Sequence, residues 1–426
     1  MPALLTAYIV AAIAWSLLSL WLSARQIACV RRHRDAVPAD FAGTVSLDEH
    51  RKAADYTVAR EQVAGVRTIW DLVVSLGWVL GGINLLYGVL AGVLPPSPAL
   101  GVAFLVASFA IGALLSLPLD LYRTFVVEQR FGFNRTSLAV FAVDRTKSWA
   151  IGLAFAVPLL FACLLAMHAF SGLWWLWTWV GVVVLMLAAP TVYVRLIAPR
   201  FNKFTPLQEG ELRSRIETLL RRCGFRPSGL FSMDASRRSA HGNAFFIGFG
   251  KTKRVVLFDT LIAASAPDEI EAVVAHELGH DKHGHVLFGL LRSAAMAFAM
   301  LAAFGWLSKQ AWLLPGFGID YQDDALALLA CMLVVGMVGP LLSPVSNWIS
   351  RRHEFQADDF ARKQVAAAPM ISALLRLSRD NASTLTPDAV YALVHYSHPP
   401  VPLRIRHLHE AEERELVGPT TAAVAI

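Results

Sequence analysis

Five consecutive residues, His276-Glu277-Leu278-Gly279-His280, form an H-E-x-x-H sequence. On a helix, positions i and i+4 lie on one face one turn apart, so both imidazoles can reach a single Zn²⁺. Glu277 then stands beside the open coordination position, where it can take a proton from water that the metal has acidified. Coincidence would place three fixed residues like these in a chain of this length and composition on the order of one time in a hundred, which favours the metal reading. A catalytic zinc needs a third protein ligand. It does not come from a direct extension of the motif, because Val286 stands where a third histidine would fall. On a continuous helix, at 100° per residue, His285 points to roughly the opposite face from His276, and His283 lies about 10 Å along the axis. The best candidate is Glu354, in Ser350-Arg-Arg-His-Glu-Phe-Gln-Ala-Asp-Asp-Phe-Ala-Arg. Glu354 and Asp358 are again i and i+4, so Glu354 can ligate while Asp358 accepts the outer ring N–H of a ligand histidine. Taken alone, Glu354 also fits a solvated helix face. His353 is next in line as ligand, though it would not share a face with Asp358.

The elements around these residues follow from periodicity. SAPDEIEAVVAHELGHDKHGHV reads as a helix, with Ser265 as N-cap and Pro267 in the first turn. Upstream, GLFSMD, NAFFIGFG and KRVVLFDTLI are short apolar runs punctuated by glycine, and they predict a small sheet. LQEGELRSRIETLLRRCGF predicts an amphipathic helix closing near Gly224.

The rest of the chain is membrane-like. Its 426 residues are 56% hydrophobic and 16% charged, with mean hydropathy +0.50. That excludes a disordered chain, a single water-soluble globule and, with four cysteines, a disulfide scaffold. The cysteines (Cys29, Cys163, Cys223, Cys331) are scattered and read as apolar fillers. Apolar runs near 3–24, 69–93, 99–119, 148–170, 173–197, 286–308 and 325–349 predict about seven spans. The first lacks a basic leader region and reads as a retained span. Pro158, Pro190, Pro340 and Pro344 predict kinks, and Trp174, Trp175, Trp177 and Trp179 predict an interfacial belt. Arg25, Arg31, Arg32, Arg34, Arg51, Lys52, Arg60 and Arg67 lie between the first two spans, and Arg123, Arg130, Arg135, Arg145 and Lys147 follow the third. The loops near 94–98 and 171–172 carry no lysine or arginine. By the positive-inside rule the N-terminus is outside, and the chemistry faces the cytoplasm. The net charge of +6 thus orients the chain, and a nucleic-acid partner is not expected.

Read together, SLDEHRKAADYTVAR (46–60), VVEQRFGFNRTS (126–137), IAPRFNKFTPL (197–207), SMDASRRSAHGNAFFIGFGKTKRVVLFDTLI (232–262), HELGH (276–280), HEFQADDFA (353–361) and HYSHPP (395–400) resemble the type I CAAX prenyl endopeptidases, integral-membrane zinc proteases of the gluzincin kind. The resemblance runs from about Phe41 to Arg404. It implies His276, His280 and Glu354 as zinc ligands, with one Zn²⁺ per chain, and Glu277 as general base. Asp358 is implied as the carboxylate behind the ligands and His398 as a residue stabilising the oxyanion. Asn243, Ala244 and Phe245 are implied as an edge strand on which substrate lies, and Arg404 is implied as a further substrate-side residue. Without the resemblance, His398 reads as a loop histidine before Pro399-Pro400 and Asn243 as a turn residue beside Gly242. It further implies a helix-walled chamber into which the zinc site opens. One departure is Leu403, which stands before Arg404 where family members often have an acidic residue; that puts the arginine's usual contact in question.

The expectation is a mainly α, multi-span transmembrane bundle with a cytoplasmic zinc-metalloprotease portion containing a small β-sheet. Residues 1–197 form a membrane region of five spans, 198–285 a catalytic insert, 286–349 two further spans and 350–426 a cytoplasmic C-terminal region. The expected function is endopeptidase hydrolysis of a peptide or protein substrate, prenylated or otherwise membrane-associated. The short 309–324 loop points to a bacterial member in the inner membrane, with a processing or quality-control role. The alternatives are a seven-span carrier or receptor with a structural zinc site, and a non-catalytic relative.

Overall fold

A computed structural model describes residues 1–170, 172–247 and 252–417. Seven helices in it are long and apolar enough to cross a membrane. The first, α1, is Ala3–Arg32. The second runs from α2 (Leu47–Gly77) through a π-helical stretch, Trp78–Gly82, into α3 (Ile83–Ala91), with Gly81 outside helical geometry. Next come α4 (Pro98–Tyr122), whose π-helical continuation Arg123–Glu128 follows Pro118, then α5 (Leu138–Ala169) and α6 (Trp174–Val192). After a helix-and-sheet portion the last two are α10 (His285–Leu307) and α12 (Asp324–Val365), with the short α11 (Leu313–Gly316) between them. Five of these helices (α1, α2–α3, α4, α5 and α12) outrun their hydropathy windows, whereas α6 and α10 do not. The 42 residues of α12 make a rod of about 63 Å at 1.5 Å per residue, twice the roughly 30 Å hydrocarbon core. Its polar lower third therefore projects beyond the lipid while remaining rigidly joined to the span.

The tryptophans divide differently from the expected belt. Trp174 is buried, Trp175 and Trp179 pack edge-on against Phe298 of α10, and Trp179 donates to the Ala294 carbonyl. Only Trp177 of the four is strongly exposed. Small residues on α10 explain this: Gly305 leaves room for Trp175 to lie against the backbone. All four cysteines are free thiols, three of them buried.

The helix-and-sheet portion begins with β1 (Phe204–Pro206) and α7 (Glu211–Arg222), followed by β2 (Arg226–Met233), β3 (Ala244–Ile247) and β4 (Thr252–Phe258). The sheet order is β1-β2-β4-β3, with β2 and β4 parallel and each outer strand antiparallel to its neighbour. Two differences from the sequence reading appear. β1 was not anticipated. The run KRVVLFDTLI is strand only to Phe258, and Asp259–Ala264 turns into a helix, α8, whose first residue binds Ser236 through both carboxylate oxygens. Residues 248–250 of the expected NAFFIGFG strand and the tail from 418 lie outside the described residues.

The chain then forms α9 (Pro267–Lys282), and after α12 it adds α13 (Ala367–Asp380), α14 (Ala389–His395) and α15 (Val401–Val417). Two cores result. One joins the spans through Leu100, Phe104, Phe317 and Leu326. The other packs α7, the sheet, α9, α13 and α15 through Ile216, Leu257, Ile270, Val274, Leu278 and Leu408. α12 belongs to both, contributing Leu326 and Ala330 to the first and Ala361 to the second.

Candidate active site

The helix α9 starts one residue later than the sequence suggests. Its N-cap is Ala266, not Ser265, because Glu269 reaches back to take the Ala266 N–H at 2.8 Å. Pro267 occupies the first helical position, where its missing N–H costs nothing. Glu269 also holds Arg376 at 2.7 Å and Ser372 at 2.5 Å, tying the start of α9 to α13. Ile270, Ala272, Val274, Ala275, Leu278 and Gly279 are all buried, so α9 runs through the second core instead of along its surface.

Across from α9 lies the lower third of α12. A Cβ built on Gly279 would sit 2.9 Å from the Ala357 α-carbon and 3.0 Å from its carbonyl oxygen. Only glycine allows this approach, and the approach brings Glu354 against the two histidines. His276 Nε2 and His280 Nε2 are 3.2 Å apart; His276 Nε2 lies 3.5 Å from one Glu354 oxygen and His280 Nε2 3.3 Å from the other. Donors about 2.0–2.1 Å from a tetrahedral ion stand about 3.3 Å from each other, so these spacings suit zinc. Glu354 Oε2 is buried without a hydrogen-bond partner, the condition a bound cation would relieve. Among the described residues this is the one cluster of three donors close enough to share a metal.

The outer face of His276 is held at 2.9 Å by Asp358. Asp358 is fully buried, and Arg404 grips it at 2.8 and 2.5 Å in a two-pronged pair. Burial works against a charged His276, but its bond to Asp358 and the adjacent Glu354 hold its pKa net above the ordinary value. Arg404 is 8% exposed, with a third nitrogen 3.5 Å from Glu354 Oε2. The sequence reading grouped Arg404 with substrate; the residue lines the same cavity, and its charge pairs with Asp358 and Glu354 beside His276. Its acidic partner comes from α12, 46 residues away, so Leu403 in place of a neighbouring acid takes nothing from it.

Glu277 lines the adjoining cavity of 1110 Å³, together with Asn243, Ala244, His276, His280, Glu354 and His398. Burial pushes its carboxyl above the usual carboxylate range, countered in part by His276 and His280. A raised carboxylate pKa suits a general base near neutral pH. His398 is exposed over 66% of its side chain and stands 3.4 Å from Glu354. The segment carrying it is pinned by α12: Arg351 donates to the carbonyls of Leu393 at 3.1 Å and Tyr396 at 2.6 Å, and Asn347 to that of Val394 at 2.7 Å. Sequence reasoning missed Arg351 and Asn347. The signal was present, since 347, 351, 354 and 358 form a single helical stripe.

At the cavity's other wall β3 is the sheet edge, paired among the described residues only with β4, an arrangement that suits pairing with an extended chain on its outer side. Asn243 and Ala244 face the cavity. The Phe245 ring turns to the opposite sheet face, packed edge-on against Phe258, away from the face that carries Ala244.

Two histidines sit otherwise than a continuous helix would place them. The helix ends at Lys282 and Gly284 adopts φ +69°, so His285 opens a new helix and swings back to lie 3.0 Å from His280 Nδ1. His353, weighed as a ligand, stacks on the His285 ring at 3.9 Å, away from the three donors.

Residues 26–203 match the family model described as CAAX prenyl protease N-terminal, five membrane helices, and residues 206–412 match Peptidase family M48. A CAAX prenyl protease 1 homolog of Arabidopsis thaliana is 32% identical over 403 residues, covering 92% of this chain and 95% of that protein. CAAX prenyl protease 1 of Saccharomyces cerevisiae is 34% identical over 335 residues, 74% of each chain. The crystal structure of S. mikatae Ste24p aligns with a TM-score of 0.89 at 28% identity, covering 96% of this chain and 100% of that one.

Proposed function

From the premise that the chain belongs to peptidase family M48 and is a multi-pass membrane metallopeptidase, we propose that it cleaves peptide bonds near the C-terminus of prenylated or otherwise membrane-associated proteins, with one Zn²⁺ per chain held by His276, His280 and Glu354. The observation that carries this is the convergence of those three donors, with a buried Glu354 oxygen that has no hydrogen-bond partner, at the wall of a large cavity beside Glu277. Three protein donors leave a coordination position open, as catalytic zinc sites do and structural ones do not. When bound, the ion supplies Lewis acidity that lowers the pKa of water and polarises a carbonyl.

The chain's own residues do the rest. Substrate extends along the free edge of β3, its backbone pairing with Asn243, Ala244 and Phe245. Glu277 accepts the proton of the attacking water and returns it to the leaving amine nitrogen, so no acyl-enzyme forms. Asp358 fixes the His276 tautomer, with its own charge offset by Arg404. His398 donates toward the oxyanion that develops on the scissile carbonyl. The basic loops favour an orientation with the N-terminus outside and the site on the cytoplasmic side of a bacterial inner membrane. The chain divides as a membrane region (1–197), a catalytic insert (198–285), two spans (286–349) and a C-terminal region (350–426) that returns Glu354 and His398 to the insert.

The substrate class is tested with detergent-purified protein and two peptides of one sequence, one farnesylated on a cysteine three residues from the end and one unmodified, read by mass spectrometry. Release of the terminal tripeptide from the farnesylated peptide, abolished by a chelator, is expected. Cleavage of neither peptide would overturn the substrate reading.

A further inference from the structure

The two ligand histidines are supported differently. His276 leans on a carboxylate, Asp358. His280 leans on another imidazole: its Nδ1 lies 3.0 Å from His285 Nδ1, and His285 Nε2 lies 2.8 Å from Gln356 Oε1. His285 is 9% exposed, and the His353 ring stacks on it at 3.9 Å with 7° between planes, which fixes the ring plane.

We propose that His285, set by Gln356, is the positioning residue of His280. This rests on the metallopeptidase reading of the site. The bond directions follow one from another. His280 presents Nε2 to the donor cluster, so its ring proton sits on Nδ1 and donates to His285 Nδ1. His285 must then carry its own proton on Nε2, and that proton donates to the Gln356 amide oxygen. Each of the two imidazoles has one donor and one acceptor, and this arrangement uses both on each ring. The relay crosses from α9 over the Gly284 break to α10 and on to α12, two residues from Glu354. It therefore holds His280 and Glu354 in register with each other. The two ligand histidines are thus backed unequally, His276 by a carboxylate and His280 by a neutral acceptor.

The test uses full-length protein, stripped of metal and reloaded with Co²⁺, in wild type, His285→Leu, His285→Asn and Gln356→Leu. Affinity is read by competition with a chelator, and coordination by the visible absorption of bound cobalt. His285→Leu is expected to lose about 10–100-fold in affinity and to shift the cobalt band. In His285→Asn the amide oxygen falls where Nδ1 stood but nothing replaces Nε2 toward Gln356, so affinity and band should recover part of the way, to about the level of Gln356→Leu. Gln356→Leu should lie between. Wild-type affinity and spectrum in His285→Leu would overturn the relay, as would an Asn variant as impaired as the Leu variant, since that result means packing alone. A wild-type protein that takes up no cobalt would overturn the metal reading and this one with it.

Discussion

Gly279 lies so close to Ala357 that a β-carbon on it would come within 2.9 Å of the Ala357 α-carbon. Glycine in a helix interior costs about 1 kcal/mol relative to alanine, so Gly279→Ala should help an isolated helix. Here the opposing group is backbone, which cannot rotate away, and overpacking of this kind costs about 1–3 kcal/mol. The clash wins. Gly279→Ala should lower the thermal midpoint in detergent and cut bound metal, because α12 must retreat and carry Glu354 with it. Gly289→Ala, with nothing within 4 Å of its would-be Cβ, should do neither.

Arg404 is the counter-charge of a fully buried Asp358. Arg404→Met leaves that buried carboxylate with His276 as its remaining partner, so the loss should fall at or below the low end of the about 3–5 kcal/mol that a broken buried pair costs. Adding Asp358→Asn to Arg404→Met removes the stranded charge and should recover part of the stability. It should not recover activity, since His276 then lacks its carboxylate. Chemical denaturation and cleavage rates of the two single variants and the double variant check this.

Glu269 ties α9 to α13 and gives a pH signature distinct from the chemistry. Burial alone would raise its carboxyl, but bonds from Ser372, the Ala266 N–H and Arg376 bring it below the ordinary 4.5. A carboxyl depressed on folding contributes stability that is full above the unfolded pKa and lost as pH falls through the folded one. Glu269→Gln should therefore be less stable than wild type at pH 7, by about 1–3 kcal/mol. The gap should close as pH drops below about 4.5. A gap that stayed constant across that window would contradict the assignment.

Arg351 donates to carbonyls of the segment that carries His398, so its effect on catalysis is expected to pass through His398. His398→Ala should lower kcat by about 10²–10³, the usual cost of one oxyanion donor. Arg351→Met should lower kcat in the same direction with metal content unchanged. The double variant should be no slower than His398→Ala alone. Additive losses would separate the two residues.

Much of this site was legible because it is local. His276 and His280, and Glu354 and Asp358, are i,i+4 pairs whose shared face follows from helix geometry alone. What was hidden depends on one backbone angle or on distant contacts. The left-handed turn at Gly284 reverses the direction of His285, and a period of 3.6 extrapolated through it points the ring the wrong way. The Asp358–Arg404 pair joins residues that no periodicity connects. The strand ending at Phe258 was overrun because Asp259–Ala264 continues the apolar pattern, and what turns it is an N-terminal aspartate bound to Ser236, a tertiary contact. Hydropathy located seven spans but not all of their ends, since α1, α2, α4, α5 and α12 continue as helix through polar residues.

The central claim is that Glu277 is the base beside a metal held by other side chains. The direct measurement compares metal content and cleavage rate of wild type and Glu277→Gln, with and without a chelator. The expected result is equal metal in both proteins, a rate at least about 10²-fold lower for the variant, and no wild-type activity once the metal is stripped. A Glu277→Gln protein with full metal content and wild-type rate would contradict it.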